Sequence, residues 1–137
     1  MRVALIAAVA GALFSIGSPG VASAAPTTTE PVERPLSSTE VRFSDRSDIV
    51  HTEPLSFDAW SPLEDGTGIR VYFLSGTPAC YGVNAVATET ADAVTVELHS
   101  GMLPEATDRM CTAKAVLGAT DIPLDAPVGE RLVLTRY

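Results

Sequence analysis

The chain has 137 residues, with 17 acidic against 9 basic side chains and a formal net charge of −8. Such an acidic balance repels nucleic-acid phosphates and anionic membrane surfaces, so neither is an expected partner. The length suits one domain with a tail, and 46% apolar residues are enough to build a core.

The chain opens "MRVALIAAVAGALFSIGSPGVASAAPTTTE". One cation, Arg2, precedes an apolar run from Val3 to Phe14; Gly17, Pro19 and Gly20 follow, then the small-x-small triplet Ala22-Ser23-Ala24. This is the layout of a secretory signal peptide over residues 1–24, with cleavage expected after Ala24. An apolar run of about 12 residues falls short of the about 20 that span a bilayer. No cysteine near the cleavage point offers a thiol for a lipid anchor. The expected product is secreted, extracellular or cell-envelope-associated, and free of the membrane.

Residues 25–48 carry Pro26, Pro31 and Pro35, many Ser and Thr, and few large apolar side chains. Proline removes backbone donors and polar side chains give nothing to bury, so a flexible, disordered linker is expected here. Thr27, Thr28 and Thr29 could accept O-linked sugar, but the composition fits a plain solvated spacer better.

Over residues 49–137 the pattern changes to that of a folded domain. "PLSFDAWSP" suggests a strand around Leu55–Trp60, and Asp65-Gly66-Thr67-Gly68 reads as a hairpin turn. In "GIRVYFLSG", Ile69, Val71 and Phe73 fall on one face, with Arg70, Tyr72 and Leu74 on the other. Successive strand side chains point to opposite faces, so this is a half-buried strand. In "YGVNAVATET", Val83 and Val86 are three apart, and a β-bulge near Asn84-Ala85 would return both to one face. Val94, Val96 and Leu98 alternate with Thr95, Glu97 and His99. Cys111, Ala113, Ala115 and Leu117 are expected to share an inner face, as are Ile122 with Leu124, and Leu132 and Leu134 fall together on one face of the last strand. Pro123 cannot donate to a ladder, which places its strand at a sheet edge. No stretch after the leader sustains a helical period. The expected fold is all-β: a small antiparallel β-sandwich of immunoglobulin-like architecture with about six to seven strands.

In an exported chain two cysteines predict one structural disulfide, Cys80–Cys111. The bond restricts topology. Three strands laid side by side would separate the outer two by about 9.5 Å. A disulfide needs Cα atoms within about 4.4–6.8 Å. The strand after Cys111 must therefore cross to the opposite sheet or lie directly beside the strand after Cys80. Trp60 is a candidate to cover the bond, as a tryptophan does in immunoglobulin domains.

The succession "CYGVNAV", "ADAVTVEL", "CTAKAV" and "LDAPVGERLV" over about residues 57–135 resembles small exported proteins of high-GC Gram-positive bacteria. The resemblance implies export and the same cysteine pairing, and it implies no catalytic residues. Many such proteins are lipid-anchored, and this chain departs from them in lacking the anchoring cysteine.

Motifs for chemistry are sparse. His51 and His99 are the two histidines, and no Gly-x-Ser-x-Gly elbow, phosphate loop or calcium loop accompanies them. His51 with Glu53 makes two candidate metal ligands, where a site needs three or four. No cofactor, metal or catalytic residue is expected. Tyr72 and Leu74, on the face opposite the core, form the candidate binding surface. The expected role is that of a secreted, non-catalytic protein binding an extracellular protein or cell-envelope component. The alternatives are a small hydrolase or metal-dependent enzyme using His51 or His99, and an accessory subunit or inhibitor of a larger exported protein docking through a sheet edge.

Overall fold

In the computed structural model, residues 17 and 19–137 are described; most of the expected leader, residues 1–24, lies outside the described residues. The described residues form ten strands in two sheets of five: β1 (Thr28–Thr29), β2 (Val32–Glu33), β3 (Val41–Arg42), β4 (Val50–Leu55), β5 (Ala59–Pro62), β6 (Gly68–Ser75), β7 (Tyr81–Glu89), β8 (Ala93–Met102), β9 (Val116–Pro123) and β10 (Leu132–Arg136). A 3-10 turn at Pro104–Ala106 joins β8 toward β9. Among the described residues no helix is long and apolar enough to cross a membrane.

The alternation in β6 and β8 builds the centre of the sandwich. Ile69, Val71 and Phe73 from β6 meet Val94, Val96 and Leu98 from β8 in one core with Phe57, Trp60 and Val133. In the first sheet β8 pairs antiparallel with β7 along nine consecutive residue pairs. Its other side is shared, with β4 antiparallel beside Leu98–Met102 and β10 parallel beside Ala93–Val96; β1 then pairs with β10. The second sheet has the order β2-β5-β6-β9-β3, with β6 antiparallel to both neighbours. The pairs β2–β5, β3–β9 and β8–β10 are parallel, so the sheets are mixed where the sequence suggested antiparallel ones.

The additional strands come from the segment whose composition suggested a flexible linker. Residues 27–46 run along the open margins of the sandwich. β1 closes the β10 side of the first sheet, and β2 closes the β5 side of the second. The chain then crosses the outer face of the second sheet, pairs as β3 with β9, and returns to the first sheet where Asp45 bridges Val83. Backbone bonds do this work: Val32 N–H to Asp58 O at 2.9 Å, Arg34 N–H to Trp60 O at 2.9 Å, and Phe43 N–H to Ala119 O at 2.9 Å. Proline and polar side chains are no obstacle, because each contact is a short edge pairing that needs few apolar residues.

Several local expectations are corrected. The β7–β8 register is unbroken, so there is no bulge at Asn84-Ala85; Val83 is buried while Val86 stands on the outer face, half exposed. The register shift lies in β4 instead, between Val50 and Glu53, where His51 takes a left-handed φ of 51°. Cys111, Ala113 and Ala115 belong to an irregular loop and not to a strand, and in β9 Leu117 faces out while Thr120 and Ile122 are buried. Leu132 and Leu134 do share one face of β10 as expected, and it is the outer one, the buried residues being Val133 and Thr135. A single strand's alternation fixes which residues share a face, but not which face is inside.

Candidate functional site

The disulfide joins Cys80 and Cys111 with their Cα atoms 6.1 Å apart. Cys80 immediately precedes β7 in the first sheet, and the loop holding Cys111 leads into β9 in the second. The topology therefore takes the crossover that the cysteine spacing allowed. Cys80 packs in a small cluster with Ile49, Leu103 and Ala106, apart from the main core. Trp60 sits in the main core and does not cover the bond.

The two residues of the expected binding surface, Tyr72 and Leu74, part company. Tyr72 is buried beneath the crossing segment 34–40. Its hydroxyl accepts from the Ser37 N–H at 3.0 Å and donates to Ser61 Oγ at 2.9 Å, while Ser61 donates onward to the Arg34 carbonyl at 2.7 Å. The Arg34 guanidinium lies 3.9 Å above the Tyr72 ring centroid and pairs with Glu40 at 2.5 Å. Partial desolvation of Glu40 alone would raise its pKa; hydrogen bonds from Ser37 and Arg34 outweigh it and hold the carboxyl down at about 2. Arg70 donates to the Ser37 carbonyl at 2.7 Å and grips Asp121 through two bonds of 2.7 and 3.0 Å. Arg42 adds a third contact to Asp121 at 2.6 Å. Tyr72 thus anchors the strap and leaves no surface for a partner.

Leu74 remains exposed, and its cross-strand neighbour Leu117 is exposed with it, at 58% and 68%. Strand pairing places both on the same outer face. Beside them a shallow hollow of about 340 Å³ lies between Leu74–Gly76 with Tyr81 and the disulfide-tethered stretch Thr112–Ala115. Sequence periodicity finds Leu74 but assigns Leu117 to the inside, so the pair emerges only from the register.

A second recess, of about 230 Å³, opens between the margins of the two sheets. Ala85, Ala87 and Glu89 of β7 line one side, Asp121, Ile122 and Pro123 of β9 the other, and Asp45 and Asp125 complete it. Two of the carboxylates are neutralised. Asp121 holds its arginines, and Glu89 accepts the Asp125 N–H at 2.7 Å and pairs with Arg131 at 3.0 Å. These contacts keep both carboxyls below their usual pKa range: for Glu89 the Asp125 N–H is the largest cause, for Asp121 the Arg70 hydrogen bonds. Asp45 accepts from the Ala85 N–H at 2.8 Å and from Asn84 at 3.1 Å; neither Asp45 nor Asp125 has an ion pair among the described residues.

His51 is exposed at the β4 irregularity. His99 is partly buried on β8, opposite Asn84 on one side and Pro54 on the other. Among the described residues no three His, Cys, Asp or Glu side chains gather as a metal site would require. Comparison with known protein families, curated proteins and solved structures finds no match to this chain.

Proposed function

We propose that this chain is a secreted, non-catalytic binding protein for an extracellular protein or cell-envelope component, and that it binds through the outer face around Leu74. The leader-like N-terminus and the disulfide support export. The observation that carries the binding face is the Leu74–Leu117 pair, two adjacent leucines more than half exposed on a rigid sheet next to a hollow. Isolated exposed leucines need no explanation, whereas adjoining ones beside a concavity mark a contact surface. The disulfide holds the hollow's far wall in place, so little ordering entropy opposes association.

The test compares the wild type with a Leu74→Ser, Leu117→Ser variant immobilised and exposed to culture supernatant and cell-envelope extract of the source organism. The wild type retains a component that the variant loses, while both melt at similar temperatures. Equal retention by the two proteins removes this face from the function.

A further inference from the structure

The chain closes the edge of β7 over its first half and then stops. The Arg46 N–H donates to the Val83 carbonyl at 2.8 Å, and the Asp45 carboxylate takes the Ala85 N–H at 2.8 Å. In an antiparallel ladder alternate residues turn their N–H and C=O groups to the same side. Val83 and Ala85 turn theirs away from β8, so Ala87 and Glu89 do likewise, and among the described residues these two have no backbone partner on that side. Across the recess, β3 pairs with β9 no further than Ala119, and the edge beyond it ends in Pro123, which has no N–H.

We propose that this recess takes an extended basic segment of another protein as an added strand on β7, alongside Ala85–Glu89. The chain itself shows the mode: Asp45 and Arg46 already lie there as backbone running parallel to β7. The small side chains of Ala85 and Ala87, with Ile122 behind them, leave room for one inward-pointing guest side chain. Charge selects the occupant. Asp45 stands beside Ala85 and Asp125 beside Glu89, without cations of their own, at the two ends of the free stretch. From Ala85 to Glu89 is about 13 Å along the strand, so guest cations four residues apart fall on one face at that spacing. The same acidic margin on a chain of net charge −8 opposes pairing of this edge with a second copy. The inference extends the binding reading above to a different surface, so the two can fail separately.

A capped, fluorescein-labelled peptide, Lys-Val-Thr-Val-Lys-Thr, is titrated by fluorescence anisotropy at low salt, with a peptide carrying Glu in place of Lys as control. The Lys peptide binds and the Glu peptide does not. Ala87→Pro weakens binding about tenfold or more, because it removes the free donor and blocks its neighbour. Proline is tolerated at a position whose N–H faces away from the ladder. The Asp45→Asn, Asp125→Asn variant, which keeps the amide oxygens as acceptors, weakens binding similarly without relying on the proline. Hydrogen exchange at the Ala87 amide slows on binding, and the Leu74→Ser, Leu117→Ser variant binds the peptide as the wild type does. Absence of binding up to about 1 mM overturns the proposal. So do affinity indifferent to Ala87→Pro, and loss of peptide binding in the leucine variant. A dimer in sedimentation that Ala87→Pro dissolves would also overturn it, since the chain would then fill its own edge.

Discussion

Replacing Cys80 and Cys111 together by alanine opens a loop whose ends are 31 residues apart. In the chain-entropy description, freeing a loop of that length stabilises the unfolded state by about 3–4 kcal/mol. The native state keeps most of its contacts, because the main core, with Trp60, lies apart from the small cluster around Cys80. For a domain of this size each kcal/mol lowers the melting temperature by about 4 °C, so a drop of about 12–16 °C is expected. Calorimetry of the wild type, the reduced wild type and the double variant measures it, with thiol titration confirming the redox state. The reduced protein and the variant should agree within a few degrees. A fall of less than about 5 °C in both would refute the entropic reasoning. It would mean that the chain between Cys80 and Cys111 is already restricted in the unfolded state, or that the stretch around Cys111 is too loosely held in the folded one for the cross-link to matter.

Three further outcomes are expected. Tyr72→Phe deletes the hydroxyl that accepts from Ser37 and donates to Ser61, at a cost of about 1–2 kcal/mol in urea unfolding; no loss would show that the strap is not anchored there. Gly118→Ala would place a methyl 2.7 Å from the Phe73 ring and 2.8 Å from the Phe43 ring, which meet edge to face, and overpacking lowers stability by about 1–3 kcal/mol; an unchanged urea midpoint would show that the rings yield freely. The carboxyls of Glu40, Glu89 and Asp121 are depressed in the folded state, so their contribution is present above their unfolded values and is lost as pH falls. For Glu40 that window runs from 4.5 down to about 2. The urea midpoint should therefore drop steadily below about pH 4.5, and a midpoint that rose on acidification would contradict the pairing.

How far the sequence reveals this fold depends on where each strand's order comes from. β6 and β8 are central, with one face in the core, so their apolar residues alternate and both elements are legible. β1, β2 and β3 are two residues each and expose their side chains, Val32 at 69% among them. Backbone bonds to strands distant in sequence hold them, and such bonds leave no mark on composition. The stretch Cys111 to Leu117 alternates as a strand would, yet the disulfide and not a ladder fixes its first residue. The candidate surfaces follow the same division. Leu74 is visible from its period, but the burial of Tyr72 depends on Arg34, Ser37 and Glu40, which have no periodic relation to β6. Asp45 and Asp125 look like ordinary loop acids until the Asp45–Val83 bridge and the Glu89–Asp125 bond carry them to one recess.

The pairing of β1 with β10 brings Thr27 and Tyr137 side by side. Thr27 and Tyr137 exchange two backbone hydrogen bonds, of 2.7 and 2.9 Å. Sewing residue 137 to residue 27 through a few glycines, and opening the chain at the exposed Ala91-Asp92 turn, would give a circular permutant with every ladder intact. The β7–β8 hairpin would then be split between the new termini while the strap became internal. Such a rewired protein separates the strap's contribution through its contacts from any looseness it owes to lying near a free end.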